Sequence, residues 1–104
     1  MNIDKLKAAI TPWAEALGVL VQLYLYGGHQ NGSAGKDAPV DIALEILDDM
    51  EWPKQEELWK AKGAGWTQEL SQKVGQKVNL GLFQGTKTQA LMDEIGKGST
   101  IFFP

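Results

Sequence analysis

Apolar residues recur along this chain in blocks whose period changes. Ile3, Leu6, Ile10, Trp13 and Leu17 stand three or four residues apart, one face of a helix. Thr11-Pro12 interrupts that face. Thr caps helix starts well and Pro is tolerated at a first helical position. The pattern therefore predicts either a kinked helix or two short ones meeting at Thr11, ended by Gly18. Val19 to Tyr26 is almost wholly apolar and rich in β-branched and aromatic side chains, predicting a strand buried on both faces. Gly27 to Pro39 holds four glycines with Asn31 and Ser33, and reads as a loop. In Val40 to Leu47 the period is two: Val40, Ile42, Leu44 and Ile46 point one way, Asp41, Ala43 and Glu45 the other.

The second half continues with helices. The acidic run Asp48 to Glu51 reads as a solvated strand exit. Pro53 to Lys62 predicts a short helix, with Glu56 and Glu57 placed ahead of Lys60. Gly63-Ala64-Gly65 reads as its end, and Trp66 to Val74 as another helix closed by Gly75. A strand over Lys77–Phe83, a helix over Thr86–Ile95 and a strand over Thr100–Phe103 complete the series. Strands alternating with helices predict an α/β fold, a mixed sheet with helices packed on it. The glycine-rich connection suits the first two strands as antiparallel neighbours.

Composition narrows the class. At 104 residues the chain has the length of one domain, 1–104. Its 43% hydrophobic and 22% charged residues are an ordinary globular balance. A net charge of -3 argues against a duplex nucleic-acid binder, which needs a basic stripe, but leaves room for a single nucleotide. With no cysteine there is neither a disulfide framework nor a thiolate metal site, which suits the cytoplasm. Met1–Lys7 leads into no apolar run of signal-peptide type, and the stretch from Val19 to Tyr26 is too short to span a bilayer.

The chemically informative stretch is Gly27-Gly28, ten residues, then Pro39-Val40-Asp41, with a further glycine at Gly32. It resembles the signature of the polymerase-beta-like nucleotidyltransferases, above all their minimal bacterial branch: a strand ending in Gly-Ser, ten residues, then Asp-x-Asp on the next strand. Gln68 to Leu80 and Leu91 to Phe103 are similar to that family's later helices and strands, so the resemblance covers nearly the whole chain. It implies a nucleotidyltransferase-like sheet and transfer of a nucleotide from a triphosphate by magnesium. The ions would be held by three carboxylates, and the phosphates by the Gly-Ser turn.

Residue by residue, the sequence departs from that pattern. The first metal carboxylate falls on Pro39, the second on Asp41 and the third on Asn79. The phosphate-binding Ser falls on Gly28, and the basic loop residues fall on His29 and Asn31. Asp41 is thus the remnant metal and catalytic candidate. Asp37 and Glu45 are each about 13 Å from it along an extended strand, too far to share an ion without a bulge. Gly27, Gly28, His29, Gly32 and Lys36 are the nucleotide- or phosphate-binding candidates. Against these stand plainer roles: Asp41 bonding loop amides, His29 and Lys36 solvated, Gly27 and Gly28 supplying only a tight turn. The four tryptophans, Trp13, Trp52, Trp59 and Trp66, suit either a partner surface or core packing; Trp13 fits the core stripe, whereas Trp52 and Trp59 sit where a partner surface is as plausible as packing.

Three expectations follow. The leading one is a catalytically degenerate protein with no cofactor. It acts by binding a protein partner of the helical HEPN type that the resemblance implies, as in bacterial toxin–antitoxin modules. The second is an active magnesium- and ATP-dependent transferase rebuilt on Asp41, Asp37 and Glu45. The third is a nucleotide binder without turnover. A homo-oligomer is compatible with each.

Overall fold

The structure, a computed structural model, describes residues 2–104. Helix α1 spans Ile3–Glu15, followed by strand β1 at Val21–Tyr26, a one-turn helix α2 at Gly28–Asn31 and strand β2 at Val40–Ile46. Helix α3 then runs from Trp52 to Val74, strand β3 from Val78 to Phe83, helix α4 from Gln89 to Gly96 and strand β4 from Ser99 to Phe103. The sheet order is β3-β2-β1-β4. β2 is antiparallel to β1 and parallel to β3, and β4 is antiparallel to β1. The fold is the mixed α/β sheet with packed helices expected from the alternation.

Helices α1 and α3 cover one face of the sheet. Val21, Leu23 and Leu25 of β1 meet Val40, Ile42, Leu44 and Ile46 of β2 there, with Val78, Leu82 and Phe102 beside them. Leu6, Ile10 and Trp13 of α1 and Trp66 and Leu70 of α3 close the layer. Each such aliphatic or aromatic side chain contributes about 1.5–3 kcal/mol on leaving water. β1 differs from its expected double burial. Gln22, Tyr24 and Tyr26 face the other side and are only half-buried, since their polar ends need water or a partner.

That other face is crossed by α4. β3 and β4 lie on opposite edges, so the chain between them must pass over β2 and β1. Leu91 of α4 sits over Gly81 of β3, where a Cβ would come within 3.3 Å of its Cδ2. Ala43, Gly81's neighbour on β2, is fully buried although it faces away from α1 and α3. Small residues at these two positions let the helix lie close to the sheet.

Neither expected interruption ends a helix. α1 continues through Thr11-Pro12, with Thr11 Oγ1 donating to the Lys7 carbonyl at 2.7 Å, a contact that bends helices without ending them. α3 continues through Gly63-Ala64-Gly65 as one helix of 23 residues. At Gly63 a Cβ would lie 2.9 Å from the Trp59 ring, so the glycine makes room for an indole. Trp59 packs edge-on against Trp66, and Trp66 against Trp13. Trp59 and Trp52 are accordingly half-buried against the core, not a free surface. Among the described residues no helix is long and apolar enough to cross a membrane.

Candidate functional site

The residues singled out by the sequence gather at the end of the sheet where β1 stops and β2 begins. β1 ends at Tyr26 because Gly27 turns the chain with φ 73°, a left-handed conformation that L side chains rarely adopt. α2 follows for a single turn and ends on Gly32, φ 81°. Gly27 touches Asp41: a Cβ on Gly27 would fall 2.5 Å from Asp41 Oδ2. The ladder sets Tyr26, Asp41 and Asn79 side by side in one row across β1, β2 and β3. All three side chains stand on the face of the sheet that α4 crosses, away from α1 and α3.

Asn79 Nδ2 donates to Asp41 Oδ1 at 3.1 Å. The amide orientation follows from charge, since its carbonyl oxygen would be repelled by the carboxylate. Asp41 is therefore held by a side-chain amide of the next strand and by the Gly27 backbone against it, not by loop amides. Tyr26 beside it has its phenol pKa raised, first by burial and then by the negative charges of Asp41 and Glu94.

Gly28, at the position where the resemblance places a phosphate-binding Ser, has the loop folded onto it. Ala34 N donates to the Gly28 carbonyl at 3.1 Å, and a Cβ on Gly28 would come within 2.7 Å of the Ala34 Cβ. A serine there requires the loop to move. His29 is buried rather than solvated. Its Nε2 lies 2.7 Å from the Ala38 carbonyl, which can only accept, so Nε2 carries the hydrogen. Gln76 Nε2 donates to the same carbonyl at 3.0 Å. The pair pins the chain one residue before Pro39. Lys36 and Asp37 are exposed in this loop, as is Gly32.

Glu45 is engaged elsewhere. Tyr24 Oη donates to Glu45 Oε1 at 2.6 Å and also contacts Gln22 Oε1 at 3.0 Å. The Phe83 ring packs edge-on against the phenol. Burial, the bond to Glu45 and its charge push the Tyr24 pKa up to about 12. Glu45 is thus tied to β1, two pleats from Asp41.

Tested against a two-magnesium centre, these donors do not fit. Each such ion usually keeps several waters and is held by one or two carboxylates together with substrate phosphates. The row offers one carboxylate with an oxygen already bonded to an amide donor, and Pro39 offers no side-chain ligand. Among the described residues, no three His, Asp or Glu side chains come together to hold a metal. Gln76 and Gln30 were not singled out by the sequence. Gln30 Nε2 reaches Thr100 Oγ1 at 3.4 Å and ties α2 to β4. Only their position, polar residues flanking strand ends, hinted at such roles.

No protein-family model matches the sequence, and no curated protein shows significant similarity to it. Solved structures do share its fold. A crystal structure described as a toxin–antitoxin with AMP-PNP superposes with a TM-score of 0.64 at 17% identity, covering 99% of this chain and 73% of that one. A crystal structure of the toxin–antitoxin MntA–HpeT, in a mutant with two Asp-to-Glu changes, gives a TM-score of 0.63 at 16% identity, with the same coverage. At these identities the likeness shows a shared fold.

Proposed function

We propose that this chain is a nucleotidyltransferase-like protein that has given up nucleotidyl transfer and acts by binding a protein partner in a module of toxin–antitoxin type. The observation that carries this reading is the bond between Asp41 and Asn79. The position where the resemblance calls for a third carboxylate holds a donor that occupies the second. Pro39 and the filled space over Gly28 support the same conclusion. The two structural neighbours described above are toxin–antitoxin structures. The partner is a small helical protein of the HEPN type.

The test is a calorimetric titration of ATP with magnesium into the purified chain, paired with mass spectrometry of proteins that copurify with it. The expected result is no binding heat and no nucleotide mass added to any copurified protein. Magnesium-dependent transfer abolished by Asp41→Ala would overturn the reading in favour of a rebuilt metal site. Magnesium-independent binding without transfer would make the chain a nucleotide sensor instead. Recovery of the chain alone from its own cells would remove the partner.

A further inference from the structure

The end of the sheet away from the Asp41 row carries apolar side chains on its surface. Leu20, just before β1, is 66% exposed, and Leu47, just after β2, is 48% exposed. Neither is loose. The Leu47 amide donates to the Leu20 carbonyl at 2.8 Å, and the Leu20 amide donates to Asp48 Oδ2 at 2.9 Å. Two hollows of about 310 Å³ and 390 Å³ meet here, and Val19 lines both. The first is bordered by Ala14 and Glu15 of α1 and by Leu20, Leu47 and Phe103. The second is bordered by Met50 and by Lys54, Glu57, Leu58 and Ala61 of α3.

Those four α3 residues stand at spacings of three, four and seven, a single stripe along about two turns of the helix. A second helix laid along such a stripe sets its ridges into the groove beside it, and the small side chains of Ala61 and Ala14 leave it room. The rim is charged, and with one sign. Glu15 and Glu57 line the hollows, Asp49 and Glu51 flank Met50 in sequence, and all four are exposed. Among the described residues none of the four belongs to an ion pair. Lys54 is the single cation lining either hollow. The whole chain carries a net charge of only -3, so acid is gathered at this end.

We propose that this groove docks a basic amphipathic helix of a partner protein, apolar along the stripe that enters the groove and rich in lysine or arginine on both flanks. The proposal rests on the reading that the chain acts by binding a protein, and it names the surface and the chemistry. Apolar side chains of the helix fill the two hollows around Val19, at the spacing by which helices anchor in grooves. Its flanking cations meet Glu15, Asp49, Glu51 and Glu57. Exposed charges attract weakly and are screened by salt, so the apolar stripe supplies the affinity and the rim selects the sign of the partner. A second copy of this chain would set acidic rim against acidic rim, and an anionic bilayer would be repelled in the same way. The groove uses no residue of the Asp41 row.

The probe is a synthetic peptide of about five turns, long enough to be helical in water, with leucine at every third or fourth position and lysine on both sides of that stripe. It is titrated into the full chain by fluorescence anisotropy, beside the same peptide with glutamate for every lysine. The lysine peptide is expected to saturate and to weaken as salt rises, and the glutamate peptide to bind about tenfold more weakly. Leu20→Ser with Leu47→Ser, both at exposed positions, keeps the circular dichroism of the parent and weakens the lysine peptide about tenfold. Met92→Ser, an exposed apolar position on α4, binds like the parent. A lysine peptide that never saturates, equal binding of the two peptides, or a double-serine variant that binds unchanged overturns the proposal. Should that variant fail to fold, nuclear magnetic resonance on the parent decides: shifts confined to residues 14–21, 47–61 and 103–104 support the groove, and shifts elsewhere overturn it. A copurifying partner that still binds the folded double-serine variant overturns this surface and keeps the partner. Absence of any partner, with the lysine peptide bound here, removes the partner and keeps the surface.

Discussion

Asp41 and Glu45 stand on one face of one strand, and each is held by a donor from a neighbouring strand. Their settings differ in kind. Glu45 is bonded by the phenol of Tyr24 on β1, which itself contacts Gln22 and packs edge-on against Phe83. Asp41 is bonded by the amide of Asn79 on β3 and pressed against a glycine in a left-handed turn. Either carboxylate alone satisfies ordinary hydrogen-bonding needs. Only the second lies where backbone approach, strand end and loop converge. What sets it apart is the company it keeps, not the carboxylate itself.

The largest effect is expected from the backbone beside Asp41. Gly27→Ala forces a side chain into a left-handed conformation and onto Asp41 Oδ2, with an expected loss of about 3 kcal/mol in urea unfolding. Adding Asp41→Ala should recover the contact part of that loss but not the conformational part. Strictly additive losses would mean that Gly27 and Asp41 do not touch.

Next comes Asn79→Asp, which replaces the donor with a second carboxylate. The expected cost at neutral pH is about 1–2 kcal/mol, from the lost bond and the repulsion. Stability should return on acidification as protonation removes one charge. Magnesium or manganese should raise the melting temperature of this variant and leave the parent unmoved. A variant indifferent to both pH and metal would show that the row cannot be turned back into an ion site.

Tyr24→Phe probes the other carboxylate. Removing the phenol should cost about 1 kcal/mol and leave the response of Asn79→Asp to metal unchanged. Any change there would couple the two ends of the face. The smallest effect is on titration. The Tyr24 phenol ionises at about 12 when folded, against 10.0 for a free phenol. A folded value above the unfolded one means its contribution is whole below pH 10 and is lost as pH climbs from 10 through 12. Ultraviolet titration should show this late tyrosinate, shifted down in Glu45→Gln. Tyr26 should titrate late as well, and Asp41→Asn should bring it down.

The alternation of apolar and polar positions suffices to read β2, because a buried face writes itself into every second residue; the order of elements gives the α/β class, and the glycine-rich connection gives the antiparallel pairing of β1 with β2. The glycines misled. Gly63-Ala64-Gly65 reads as a helix end, yet Gly63 is there because Trp59 lies on it, and a glycine's reason is invisible without its neighbour. Thr11-Pro12 was read as a possible joint, but the packing of Ile10 and Trp13 holds the helix through it. Of the site, the grouping of Gly27, Asp41 and Asn79 is legible only through the family resemblance, which assigns those positions to one centre. That Asn79 points its amide at Asp41, that His29 is buried on the Ala38 carbonyl and that Glu45 belongs to Tyr24 depend on register, which the sequence does not state.

The passage of α4 over the sheet has a consequence for how the chain is made. β1 lies in the sheet's interior, yet one of its two neighbours is β4, with Tyr26 beside Ser99. During synthesis, β1 and β2 can pair as soon as the hairpin has left the ribosome. The far side of β1 stays unpaired until residues 99–103 have emerged and the helix has swung across. Throughout that interval the nascent protein presents Leu23 and Tyr24 at a raw edge. The order of translation therefore brings β4 to the sheet last, and a ribosome stalled after β3 has emerged but before β4 has would hold out a three-stranded sheet still seeking its fourth.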